Sequence, residues 1–139
     1  MKTIYVVIIL SITLSCKDKK INEVVELPKN QLVGTWQLVS QCVTNGTNTC
    51  KEEILSSDKL VTISFTNDDK YVESFKNAGA DKYGFLGCGG TYSLEGKQVR
   101  IIGFCMSNSR GKLYDYTLTS DNQLTFEVDN LGKFIYQKQ

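Results

Sequence analysis

The chain has 139 residues, with 16 basic against 15 acidic and no histidine. That length holds one domain, near the size at which a single core buries roughly two-thirds of the unfolded surface. Balanced charge leaves no concentrated positive face for nucleic acid, and the missing histidine removes the usual general base, the Ser-His and Cys-His nucleophile pairs and the commonest metal ligand. No enzyme and no cofactor is expected.

In chain order, Lys2 gives a positive start and residues 4–14 form an apolar run of 11 residues that ends at Ser15-Cys16. The run is too short for a membrane span, which needs about 20 apolar residues, and reads as a signal peptide over residues 1–15. Its end resembles the lipobox of bacterial lipoproteins, in which a small residue precedes a cysteine that becomes lipidated. The resemblance implies acylation, such as palmitate, on Cys16 and a lipid-anchored protein of the bacterial cell envelope, at the outer membrane, with its domain in the periplasm or at the cell surface. Two or more acyl chains hold firmly where one binds only marginally. Removing residues 1–15 takes away only Lys2, which leaves 15 basic against 15 acidic residues. Residues 16–31 are polar and lysine-rich and read as a flexible tether.

The folded domain is expected over residues 32–139. Residues 32–39, with Gly34-Thr35-Trp36, read as its first strand. Trp36 is the only tryptophan, expected as a plug at one end of the core. Residues 41–59 form a long polar connection holding Cys42 and Cys50, with a short helical turn at residues 51–55. Residues 60–65 and 70–76 alternate as strands, placing Val61, Ile63 and Phe65 on one face and Tyr71 and Phe75 on another. Thr66-Asn67-Asp68-Asp69 between them is a turn, lacking the further ligands a calcium loop needs. Residues 77–87 form a glycine-rich connection. No helix follows that could cradle a phosphate, so its glycines mark bulges or a bend.

If Gly96-Lys97 is the two-residue loop of a type II′ hairpin, pairing sets Leu94 against Val99, Tyr92 against Ile101, Gly90 against Gly103 and Cys88 against Cys105. Four cysteines allow three connectivities. This register favours Cys88 with Cys105, leaving Cys42 for Cys50 as disulfides. Strands follow at residues 112–119, with Tyr114 and Tyr116 on one face, then at 123–128 and 133–137. The carboxylates of Glu73 and Asp115 are expected at the surface. The fold class is all-β, an eight-stranded antiparallel up-and-down meander whose closure into a barrel disposes of its edges.

The stretch Leu32-Val33-Gly34-Thr35-Trp36-Gln37-Leu38-Val39-Ser40 resembles the opening motif of bacterial lipocalin-like domains. Gly90-Thr91-Tyr92-Ser93-Leu94-Glu95-Gly96 and the closing Phe134 to Tyr136 extend the resemblance over residues 32–138. It implies a lipocalin-like barrel on a lipoprotein, with an interior pocket for an apolar molecule. True lipocalins pack an arginine near the last strand across the tryptophan. The only arginines here are Arg100 and Arg110, so Lys133 or Lys138 stands in.

The leading expectation is a monomeric, membrane-tethered protein that binds a small hydrophobic ligand inside the barrel, lined by Trp36, Tyr92, Ile101, Tyr114, Tyr116 and Phe126. The alternative is a protein-interaction or inhibitor lipoprotein with a filled barrel that acts through its long segments at residues 41–59 and 77–87.

Overall fold

The computed structural model describes residues 29–44, 50–129 and 132–139. The leader, Cys16 and most of the tether lie outside the described residues. A short helix α1 (Lys29–Leu32) enters β1 (Gly34–Thr44), followed by β2 (Cys50–Ile54), β3 (Leu60–Phe65), β4 (Lys70–Lys76), a one-turn helix α2 (Ala80–Tyr83), β5 (Gly90–Glu95), β6 (Gln98–Gly103), β7 (Lys112–Leu118), β8 (Gln123–Val128) and β9 (Gly132–Lys138). All pairings are antiparallel, and β1 pairs with β9, so β1 and β3 to β9 close an eight-stranded barrel.

Those eight strands are the ones the alternation predicts. The ninth, β2, replaces the expected helical turn at residues 51–55. It continues the edge of β1 that β3 leaves free: β3 pairs with Gly34 to Gln37, and β2 with Ser40 to Thr44. A cross-strand ladder outweighs the helix propensity of Lys51, Glu52 and Glu53, which pair with Val43, Cys42 and Gln41.

The β5–β6 register is the expected one from Gly90 opposite Gly103 to Glu95 opposite Gln98. Gly96 has φ 62° and Lys97 has negative φ, as a type II′ turn requires. Cys88 and Cys105 form a disulfide with Cα atoms 6.0 Å apart, just beyond the end of that ladder. Cys42 and Cys50 form the second.

One seam is weak. β4 and β5 share only two paired positions, Lys70 with Thr91 and Tyr71 with Gly90. Beyond Tyr71 the connection at residues 77–89 takes the place of a strand. Its backbone is held by a side chain: Glu73 accepts hydrogen bonds from the Leu86 N–H at 2.7 Å and the Gly87 N–H at 3.1 Å. Tyr71 also donates its hydroxyl to Glu73. Glu73 is therefore no surface carboxylate. Lying two residues from Tyr71, it shares that residue's inward face, where the missing strand leaves amides to satisfy.

At one end of the barrel, Trp36 is fully buried and its indole donates to the Leu32 carbonyl at 2.8 Å. The Lys138 ammonium lies 5.0 Å from the ring centre, so this lysine takes the place expected of it, while Lys133 pairs with Glu127 on the neighbouring strand.

Candidate functional site

The residues expected to line an interior cavity do face inward, and they pack. Trp36, Ile101 and Phe126 have no exposed surface, and Tyr92, Tyr114 and Tyr116 are buried. The space among several of them is taken by Phe85, an aromatic from the glycine-rich connection. Its ring stacks on Phe126 at 4.7 Å and meets Tyr114 at 4.8 Å and Phe134 at 5.5 Å edge-on. Tyr83 from α2 is buried as well. Sequence reasoning missed both; the signal was their position, two aromatics in an otherwise polar and glycine-rich stretch.

Two hydroxyls in this core, those of Tyr116 and Tyr136, are buried without a hydrogen-bond partner. Burial raises the pKa of both tyrosines above the ordinary phenol value, so they stay protonated donors.

The larger opening lies at the barrel end away from Trp36, where the later half of β1 carries Gln41 and Val43. These stand opposite Glu53 and Lys51 of β2. With Glu52, and with Asp81 and Lys82 of α2, they line an open cleft of about 570 Å³. The two long connections singled out in the sequence thus meet at one site. A smaller neighbour of about 170 Å³ shares Gln41 and Glu52 and runs beside Cys42, Lys133 and Ile135 of the barrel wall.

Polar contacts fix the cleft. Lys82 pairs with Glu53 at 2.7 Å, and the Tyr83 hydroxyl donates to the same carboxylate at 2.9 Å. The Lys82 and Tyr83 hydrogen bonds hold the Glu53 carboxyl below its usual range. Gln41, only 2% exposed, forms the floor. Its Nε2 donates to the Lys82 carbonyl at 3.3 Å, while its Oε1 is buried without a partner. Such an unpaired acceptor costs about 1–3 kcal/mol. The Cys42–Cys50 disulfide ties β1 to β2 beside the cleft, diagonally across the ladder.

A closed antiparallel barrel, plugged at one end by a Gly-x-Trp strand and recessed at the other, defines a small β-barrel protein of the binding type. The lipocalin-like domain matches residues 32–126. The chain belongs to the lipocalin-like domain family, whose members are generally non-enzymatic binding proteins. No curated protein matches it. Among solved structures it is similar to an uncharacterized protein from Bacteroides eggerthii DSM 20697, at 12% identity over 78% of this chain and 99% of that one, with a TM-score of 0.39.

Proposed function

We propose that this is a lipid-anchored envelope protein, tethered through Cys16, whose lipocalin-like domain binds a small molecule at the barrel mouth rather than within the barrel. One observation carries the reading: Phe85 occupies the barrel interior while a cleft of about 570 Å³ stands open between β2 and α2. That volume falls in the range of small-molecule sites. A filled barrel acting through its long connections is the architecture this favours.

Native mass spectrometry of the protein purified from its own organism tests it. An added mass of a few hundred daltons is expected on the wild type, lost in Lys51→Trp, whose indole fills the cleft from an exposed position. Absence of any added mass, or its retention in Lys51→Trp, contradicts the reading. Intact mass with and without Cys16→Ala tests the anchor: the acyl mass and the membrane fraction should be lost together.

A second reading has its own support in the unpaired hydroxyls of Tyr116 and Tyr136, which would orient an apolar ligand inside the barrel once Phe85 withdraws. A mass retained in Lys51→Trp but lost in Tyr136→Phe favours this interior site.

A further inference from the structure

We propose that the outer wall at the β4–β5 seam docks on a lipid surface carrying anionic headgroups, with Phe104 as the side chain that enters it. The proposal concerns the outside of the barrel and stands apart from the mouth-binding reading. Phe104 is 83% exposed, and Val72 and Ile102 on the same outward face are 47% and 36% exposed. Val72 and Ile102 point outward because Tyr71 and Ile101, their strand neighbours, point into the core. The three are contiguous. Phe104 donates its N–H to the Gly89 carbonyl at 2.8 Å, and its ring edge lies 3.9 Å from the point where a side chain on Gly89 would begin. That point is 3.2 Å from the Tyr71 carbonyl, so Phe104 reaches over a bare glycine to the strand that carries Val72. Single exposed apolar residues are ordinary, whereas a contiguous group around an open aromatic marks a surface for contact.

The charges around it select the partner. Lys70, two residues before Val72, is matched by Asp68, and Arg100, two before Ile102, by Glu95. Lys76 shares the outward face of Val72, and Arg110 and Lys112 flank Gly111, against which the Ile102 side chain lies. Among the described residues none of these three cations is in an ion pair, and the turn from Phe104 to Lys112 holds no acidic residue. Asp115, further along β7, accepts a hydrogen bond from Gln98. Neither cleft reaches this wall, which suits a broad, flat partner. In the headgroup layer of an anionic bilayer the ring meets the acyl boundary while the cations meet phosphate. The chain has the length to allow it. Its tether enters at α1, at the closed end, and the residues between Cys16 and α1 reach roughly 40 Å when extended. The 11 residues of β1, which span the barrel from that end to the mouth, rise about 36 Å at most.

The test mixes the full chain with vesicles of brominated phosphatidylcholine, with and without phosphatidylglycerol, and reads tryptophan emission. Wild type carries only Trp36, which is wholly buried and should stay unquenched. In Phe104→Trp, vesicles with phosphatidylglycerol should quench about half or more of the added emission, as an indole at the acyl boundary would be. Thr117→Trp, at an exposed position on β7 near the closed end, should stay unquenched. Adding Lys76→Glu and Arg110→Glu to Phe104→Trp should lower the quenching about threefold, as should leaving out phosphatidylglycerol. No quenching at position 104 overturns the proposal, as does equal quenching at 104 and 117, which would mean that an anchor merely crowds the domain against lipid. Quenching at 104 that ignores both phosphatidylglycerol and the charge reversals also overturns it.

Discussion

Glu73 concentrates the barrel's electrostatic strain. Burial pushes its carboxyl above the usual range, against hydrogen bonds from Tyr71 and from the Leu86 and Gly87 amides that act to lower it. The folded state therefore binds its proton more tightly than the unfolded chain does. Its contribution to stability is fully present below the unfolded value, 4.5, and declines as pH rises through the folded value. Asp68 works in the opposite sense. The Lys70 hydrogen bond holds its carboxyl down to about 2, so its contribution is present above the unfolded value of 3.8 and is lost as pH falls toward about 2. Side-chain ¹³C shifts should place the Glu73 midpoint above 4.5, and Glu73→Gln should remove the decline in stability that begins there. A midpoint at or below 4.5 contradicts the assignment.

Trp36 was legible in the sequence as a plug because a lone large ring on a first strand has few other places to go. Its cover by Lys138 was legible only as one of two choices, since strand register decides which lysine reaches the ring. Glu73 was not legible. A carboxylate between Tyr71 and Phe75 on an inward face looks misplaced until the adjacent strand is known to be missing.

At the scale of elements, the β5–β6 hairpin was readable to the residue because a two-residue glycine turn fixes the register and the cysteines check it. The strand β2 was not, since Cys50–Ile54 has a buried-face pattern only where β1 supplies it: four of its five residues are exposed. The inward turn of residues 77–89 was equally hidden, because glycines signal a bend without saying which side chains it drives into the core.

Amides of Leu86 and Gly87 should be protected from hydrogen exchange by Glu73, while Val72 to Lys76 should be less protected than the same stretch of β3, because β4 lacks a strand on its far side there. Uniform protection across β4 would contradict the seam. Replacing Cys88 and Cys105 together by serine releases a crosslink spanning 17 residues and should cost about 3 kcal/mol in denaturant unfolding.

For the whole molecule, closure through β1 and β9 and the filling of the interior are separate facts with separate consequences. Closure removes the sheet's long edges and leaves β2 as a short flap whose inner face borders the cleft. Filling depends on Phe85. Phe85→Ala should cost about 3–5 kcal/mol and open a void bounded by Tyr114, Phe126 and Phe134.

The central claim is that this barrel is packed and recognition lies at its mouth. Trp36 is the chain's only tryptophan and is wholly buried at the closed end of the core, so its fluorescence reports on the interior. Titrating wild type and Phe85→Ala with a long-chain fatty acid separates a packed barrel from an open one. A packed barrel predicts no saturable change in tryptophan emission for the wild type and a saturable one for Phe85→Ala. A saturable, one-to-one change in the wild type would contradict it.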